Sequence, residues 1–307
     1  MLLVVMIQSP LNYTGGKYKL LPQILPLFPQ NINTFVDLFC GGGDVGANVD
    51  CGHVLFNDIN RNVIGMLTAF EALQQTETLH IINTTITQYC LSDVRTNGYA
   101  YYNCESGKGL GNYNREPFTQ LKDYFNGLQQ RDYQYYILLY VLVIFSFNNQ
   151  IRFNKQGNFN LPVGKRDFNA KMQAKLIAFI ERLQQINCIF SSVDFRQIDI
   201  CNLGENDFVY ADPPYLITCA TYNEQGGWNE DLEHALYNYL DELHAHNIRF
   251  ALSNVLTSKG KTNNILQEWI RHNPQYFCHH LNYNYSNSSY HTADRTTGSD
   301  EVLITNY

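Results

Sequence analysis

Nothing restricts the backbone of this chain more than Asp212-Pro213-Pro214-Tyr215, which follows the apolar run Asp207-Phe-Val-Tyr-Ala211. The run reads as a strand. Two consecutive prolines fix φ and remove two backbone N–H donors, so no helix or ladder continues through them. An acid, a stiff pair and an aromatic therefore sit just past a strand end, where ligands bind in open α/β sheets. The carboxylate of Asp212 and the carbonyl of Pro213 can each accept one N–H, and the ring of Tyr215 can stack. Together they suit a flat molecule bearing an –NH2 group. Asp-Pro also initiates turns, and by itself the tetrapeptide leaves both readings open.

A second signal lies upstream. Thr34-Phe-Val-Asp37-Leu-Phe39-Cys-Gly41-Gly42-Gly43-Asp44-Val-Gly46 is a strand-like run that enters a glycine cluster. Gly41, Gly43 and Gly46 fit the G-x-G-x-x-G spacing that lets backbone turn sharply and approach a ligand. A helix is expected from about residue 45 to 50. Asp58 ends the next strand, and an acid at that place binds a ribose diol. The glycines would also serve a plain tight turn; the acid beside them favours a nucleoside. At the front, Tyr13-Thr-Gly15-Gly16-Lys17 forms a small loop before a helix at 18–27. Its spacing is not that of a phosphate-binding P-loop, and by itself it reads as a surface loop.

Taken together these residues resemble the Dam family of DNA adenine methyltransferases. The family order is aromatic-x-Gly-Gly-Lys, Phe-x-Gly-x-Gly, an acid after the second strand, a target-recognition insert, then Asp-Pro-Pro-Tyr. Here it runs as Tyr13 to Lys17, Phe39 to Gly43, Asp58, and Asp212 to Tyr215. Arg152-Phe-Asn-Lys-Gln-Gly157-Asn-Phe159-Asn160-Leu-Pro162-Val-Gly164 is similar to the family's recognition hairpin. Ser253-Asn254 and the closing Glu301-Val-Leu-Ile strand match more loosely.

The resemblance implies S-adenosylmethionine as cofactor and an adenine flipped out of double-stranded DNA. It assigns Asp212, Pro213, Pro214 and Tyr215 to catalysis. It assigns Tyr13, Lys17, Asp37, Phe39, Gly41, Gly43, Asp58, Ile59, Asp194, Phe195 and Asp212 to the cofactor. Asp194 is also an ordinary cap after a strand. Asn154, Lys155, Gln156, Asn158 and Asn160 are expected to read bases, since Asn and Gln suit adenine and Lys suits guanine. Arg152, Lys165, Arg166 and Arg295 complete the expected DNA contacts. No metal is needed. The rivals are transfer to cytosine, where Ser mostly replaces the Asp, transfer to a protein or RNA amide, and a silent DNA-binding relative.

The expected fold is α/β: a Rossmann-like methyltransferase sheet with helices on both faces and an inserted, mainly helical target-recognition domain carrying a β-hairpin. Strands are expected at 34–39, 53–57, 188–193, 207–211, 248–253 and 300–306. Further helices are expected at 60–74, 116–129, 132–147, 168–185 and 229–246. The chain between the second and third strands is far longer than one crossover needs. The catalytic domain is therefore expected at 1–70 and 188–307, with the insert at 71–187.

Net charge is −7, against a DNA substrate. The distribution answers this. Residues 151–182 carry seven basic side chains and two acidic ones, Asp167 and Glu181, enough for a local patch that tracks phosphates. Eight cysteines without a C-x-x-C pair argue against structural zinc. Met1–Ile7 is apolar but lacks a basic leader, and Tyr135–Phe147 is too short to span a membrane. The expectation is a cytoplasmic protein with free thiols, no membrane contact, and a cognate restriction endonuclease as a functional, not physical, partner.

Overall fold

The computed structural model describes residues 6–104, 107, 109–218, 227–282 and 298–307. In chain order its helices are α1 (Leu21–Ile24), α2 (Arg61–Ala72), α3 (Gln75–Gln88), α4 (Val94–Tyr101), α5 (Gly111–Gly127), α6 (Tyr133–Phe145), α7 (Ala170–Gln185), α8 (Glu230–Ala245) and α9 (Asn264–His272). Its strands are β1 (Ile32–Asp37), β2 (Cys51–Asn57), β3 (Cys188–Ser191), β4 (Phe208–Ala211), β5 (Arg249–Ser258), β6 (Lys261–Thr262), β7 (Phe277–Leu281) and β8 (Asp300–Thr305). The chain forms two compact units. One comprises Met1–Gly16, Gly41–Ala47 and Asn60–Phe190; the other comprises Lys17–Cys40, Asn48–Ile59 and Ser191–Tyr307.

The second unit is built on a sheet in which β2-β1-β4-β5-β8-β7 lie side by side. The first four of these are parallel, β8 runs antiparallel to β5, and β7, antiparallel to β8, runs with the first four. The chain leaves β1 toward β2 and later returns to β4 on the other side of β1. That reversal is a topological switch point, and it opens a crevice beyond the carboxyl ends of β1 and β4. Asp37 pairs with Tyr210 in the ladder and β4 ends at Ala211, so Asp212 is the first residue past the strand end on that crevice.

Strand residues alternate between the two faces, and both faces are covered. Phe35, Phe208 and Tyr210 are buried on one. There Phe28 meets them, its ring 4.8 Å from that of Phe208, at the end of the helical stretch 18–27. Val36, Val209, Ala211, Phe250 and Leu252 are buried on the other, against Leu236, Leu240 and Leu243 of α8 and Leu266 and Trp269 of α9. The stretch 18–27 is not one helix as expected. Pro22 and Pro26 lack the amide a continuing helix needs, so α1 is flanked by 3-10 turns at Tyr18–Leu20 and Leu25–Leu27.

The first unit is helical. In α6 every residue from Ile137 to Phe145 is buried, and a helix apolar on all sides has to be wrapped. α2, α3 and α5 pack around it. Its ends are set by side chains: Asp132 accepts the Tyr135 amide, and Asn149 donates to the carbonyls of Val143 and Ile144. The helix expected at 45–50 is a single 3-10 turn, Gly46–Asn48.

Candidate active site

In the sheet unit, Asp212 follows β4 and forms an ion pair with Lys17, 2.8 Å between Nζ and Oδ2, with the Lys17 side chain 5% and the Asp212 side chain 17% exposed. The Tyr215 hydroxyl donates to Asp212 Oδ1 at 3.2 Å. The Lys17 ammonium also stands 5.0 Å from the Tyr215 ring centroid, within cation–π range. Burial pushes the Asp212 carboxyl above its usual range, while Lys17 and then Tyr215 pull it back. Burial likewise raises Tyr215 and Tyr210 well above the ordinary phenol value, so both hold their protons. Tyr210 shares a 2.7 Å hydrogen bond with Ser253 beneath the site. Glu301 on β8 is raised by burial, with Lys17 opposing and Asp212 adding to the rise.

Three further strand ends converge on one side chain. The Asn57 amide donates to the Leu38 carbonyl (3.1 Å) and the Val193 carbonyl (3.2 Å), and its oxygen accepts the Val193 amide. Its own carbonyl accepts the Cys40 amide. This buried clamp fixes the turns that carry Asp37, Phe39, Asp58 and Asp194. Asp37 and Asp58 are buried, at 1% and 7% exposure, and the Asp58 amide bonds to Ser191. Ile59, beside Asp58, is 71% exposed, an apolar face open to a ligand. Phe39 and Phe195 face each other at 5.4 Å.

In the helical unit, the glycine loop is cradled by the front segment. Gly41 has φ +48°, and a Cβ there would stand 2.6 Å from the Tyr13 ring. Position 41 therefore admits no side chain. Asp44 accepts the Ser9 amide at 2.8 Å, the Ser9 hydroxyl accepts the Leu11 amide, and Arg182 donates to the Ala47 carbonyl. Gly43 also has positive φ.

The expected hairpin is present as a short ladder with bridges Ser146–Val163 and Phe153–Phe159. Phe159 is buried, and Phe153 and Phe125 pack edge-on to it. Asn126 of α5 binds both the amide and the carbonyl of Phe159. Arg152 reaches across to the side chain and carbonyl of Asn160. Asn154 accepts the amides of Gln156 and Asn158, closing a turn in which Gly157 takes φ +80°. Lys155, Gln156 and Asn158 point outward, as do Lys165 and Arg166. Burial lowers Lys175 on α7, followed by repulsion from Lys171, with Arg166 adding to the fall.

Residues 13–286 match the model of the D12 class of N6 adenine-specific DNA methyltransferases. The chain belongs to this family. It is 41% identical over 307 residues to modification methylase StsI of Streptococcus sanguinis and 40% identical over 308 to type II methyltransferase M.FokI of Planomicrobium okeanokoites. Each match covers 98% of this chain but 43% of the relative. A third relative, the DNA adenine methylase of Escherichia coli K12, is 27% identical over 213 residues, 69% of this chain and 66% of its own.

Within this D12-class chain the structure sorts the expected residues. Asp212, Pro213, Pro214, Tyr215 and Lys17 share one locus, and Asp37, Phe39, Asp58, Ile59 and Phe195 lie at neighbouring strand ends. Asp194 has a second duty: it caps a 3-10 turn at Arg196, and both its oxygens bind the Arg196 guanidinium at 2.7 Å. Asn154, Asn160 and Arg152 shape the hairpin. Arg295 lies outside the described residues. Sequence reasoning missed Asn57, Asn126 and Trp228. It also missed Phe147, 49% exposed beside the hairpin on a turn whose next residues, Asn148 and Asn149, have positive φ. Two asparagines in a row after an apolar run are a signal for such a turn. Among the described residues no cluster of potential metal ligands occurs, and no helix is long and apolar enough to cross a membrane.

Proposed function

We propose that this chain transfers a methyl group from S-adenosylmethionine to the exocyclic amine of adenine in double-stranded DNA, after the base has been flipped from the duplex. The observation that carries the reading is the Asp212–Lys17–Tyr215 locus at the switch point beyond β4. When bound, the cofactor supplies an electrophilic sulfonium methyl. The residues present fit such a group. Asp58 offers a carboxylate at the end of β2 for the ribose hydroxyls, and the exposed side chain of Ile59 beside it offers an apolar surface. Asp37, Phe39, Lys17, Asp194 and Phe195 of the same unit complete the proposed cofactor residues.

The adenine amine is a poor nucleophile because its lone pair is delocalised into the ring. Asp212 and the Pro213 carbonyl accept hydrogen bonds from its two N–H groups, localise the pair on nitrogen and aim it. Positive charge then develops on that nitrogen, and a fixed anion in a dry site stabilises it. Tyr215 holds the flipped base by stacking, worth about 1–3 kcal/mol, which offsets part of the few kcal/mol that flipping costs. Lys17 keeps the buried Asp212 ionised before the base arrives. The hairpin tip, Lys155, Gln156 and Asn158, reads bases, while Lys165 and Arg166 contact phosphates beside the cluster of Lys171 and Lys175. The insert 71–187 is the target-recognition region.

The names of the two similar methylases support a role in DNA modification, here read as the protective half of a restriction–modification pair acting in the cytoplasm. Changing Asp212 to Ala should abolish transfer while the protein still folds and binds DNA. A variant keeping more than about a tenth of the wild-type rate, a loss below about 1.4 kcal/mol, would defeat the role given to Asp212. Mapping modified bases after expression in a host without adenine methylation separates adenine from cytosine as the target.

A further inference from the structure

Glu233, in the first turn of α8, is fully buried. Its Oε1 accepts the Tyr237 hydroxyl (2.5 Å), the Asn254 amide (3.1 Å) and the Asn263 amide (3.0 Å). Its Oε2 accepts the indole N–H of Trp228. These four donors are neutral. Burying a carboxylate on neutral donors costs solvation that they only partly return, although a helix N-terminus helps. An apolar residue would serve packing at lower cost. What the carboxylate does provide is position. Asn263 caps α9 through its other atom, Asn254 follows Ser253 on β5, and Tyr237 stacks on Trp269 at 4.6 Å. One side chain thus joins α8, α9 and β5 to Trp228.

Trp228 lies at the strand ends already described. Its ring stands edge-on to Phe39 at 5.5 Å and tilted against Phe195 at 6.0 Å. With the 5.4 Å contact between Phe39 and Phe195, the three rings form a closed triangle. Two of its corners are residues assigned to the cofactor. The third is half-buried, and its one polar atom is held by Glu233. An indole with its N–H satisfied at one end leaves the remaining ring surface free for an apolar or stacking duty.

We propose that Trp228 is the third aromatic wall of the cofactor pocket and that Glu233 is the positioning residue that fixes its indole. This rests on the reading of S-adenosylmethionine as cofactor. A wall of contacting rings suits a purine, by stacking, and a sulfonium, by cation–π attraction.

The test compares wild type with Trp228→Ala, Trp228→Leu, Trp228→Phe and Glu233→Gln. Affinity for S-adenosylhomocysteine is measured by calorimetry, and kcat and KM for S-adenosylmethionine are measured on DNA. Loss of the ring should weaken binding roughly tenfold to a hundredfold in both the Ala and Leu variants, with the change in KM larger than that in kcat. Trp228→Phe keeps a ring and should stay within about threefold. Glu233→Gln should raise KM several-fold. The chain has two tryptophans, so in a Trp269→Phe background the indole emission reports Trp228. S-adenosylhomocysteine should quench it, and Glu233→Gln should weaken the quench. A Trp228→Leu protein that binds like wild type overturns the wall. A Glu233→Gln protein with unchanged KM and unchanged quench overturns the positioning role. A wild-type protein that does not bind S-adenosylhomocysteine removes the cofactor reading itself, a result distinct from either.

Discussion

Replacing Lys17 by Met tests the central ion pair through stability and activity together. Lys17 and Asp212 are 5% and 17% exposed and 2.8 Å apart. Methionine keeps the length of the side chain and removes the charge, leaving the carboxylate in a site that burial already disfavours. Breaking a buried pair from one side costs about 3–5 kcal/mol, and partial exposure of Asp212 places the expected loss near about 3 kcal/mol at pH 8. At low pH the cost shrinks because Asp212 escapes by taking a proton. The sign follows from linkage. Asp212 has a folded-state value raised above the unfolded one, so its contribution is fully present below the unfolded value and is lost as pH rises through the folded value. Removing Lys17 pushes the folded value further up and extends that loss. Tyr215, Tyr210 and Glu301 also face the pair, but the two phenols stay protonated and Glu301 shifts in the same direction as Asp212. Urea denaturation of wild type and variant at pH 5 and pH 8, with a pH profile of kcat/KM, gives the readout. The variant should lose more stability at pH 8 than at pH 5, and the acidic limb of its profile should move to higher pH. Equal losses at both pH values, with the limb unmoved, would refute the claim that Lys17 sets the ionisation of Asp212.

Gly41→Ala should weaken cofactor binding by at least about 1 kcal/mol, since the residue has positive φ and that conformation is strained for any side chain; calorimetry with S-adenosylhomocysteine is the check. Asn126→Ala leaves the buried amide and carbonyl of Phe159 without partners and should cost about 1–3 kcal/mol of stability; its hydrogen exchange should rise in 152–160 before it rises in α6. Alanine at Lys155, Gln156 or Asn158 should relax sequence preference and cost about 1–3 kcal/mol at the preferred site. Alanine at Lys165 or Arg166 should instead weaken all sequences alike and lower the salt slope by about one, measured by anisotropy across a salt series.

The sheet was readable because β1, β4 and β5 each hold a short apolar run, Phe35-Val36, Phe208–Ala211 and Phe250–Leu252, with polar residues on both sides. The parts that escaped have local reasons. β7 carries His279 and His280 in a five-residue strand and has no apolar alternation. α3 contains Ile81-Ile82-Asn-Thr-Thr-Ile-Thr, a β-branched run that propensity assigns to a strand, and it is helical because Ile82 and Ile86 bury on that unit's core. α4 bends at Gly98, whose φ is +70°. The acids and glycines of the site were legible because turn chemistry and strand ends announce them. Asn57, Asn126 and Glu233 were not, because their duty is hydrogen bonding that includes partners far away in sequence. A buried asparagine or glutamate looks like any surface one until its partners are known.

The hairpin separates shape from content. Asn154, Gly157, Arg152, Asn160 and Asn126 hold the turn, and among the described residues no hydrogen bond runs from the side chains of Lys155, Gln156 or Asn158 back to the protein. These three positions can therefore be exchanged without asking the core to repack. On the proposed reading of the tip as the base reader, a lineage can drift from one target sequence to another through single neutral steps there, and an engineer can randomise it as a cassette. The same arrangement places a limit on such change: any new reader must fit a tip of three outward side chains, so longer targets have to enlist surfaces beyond it.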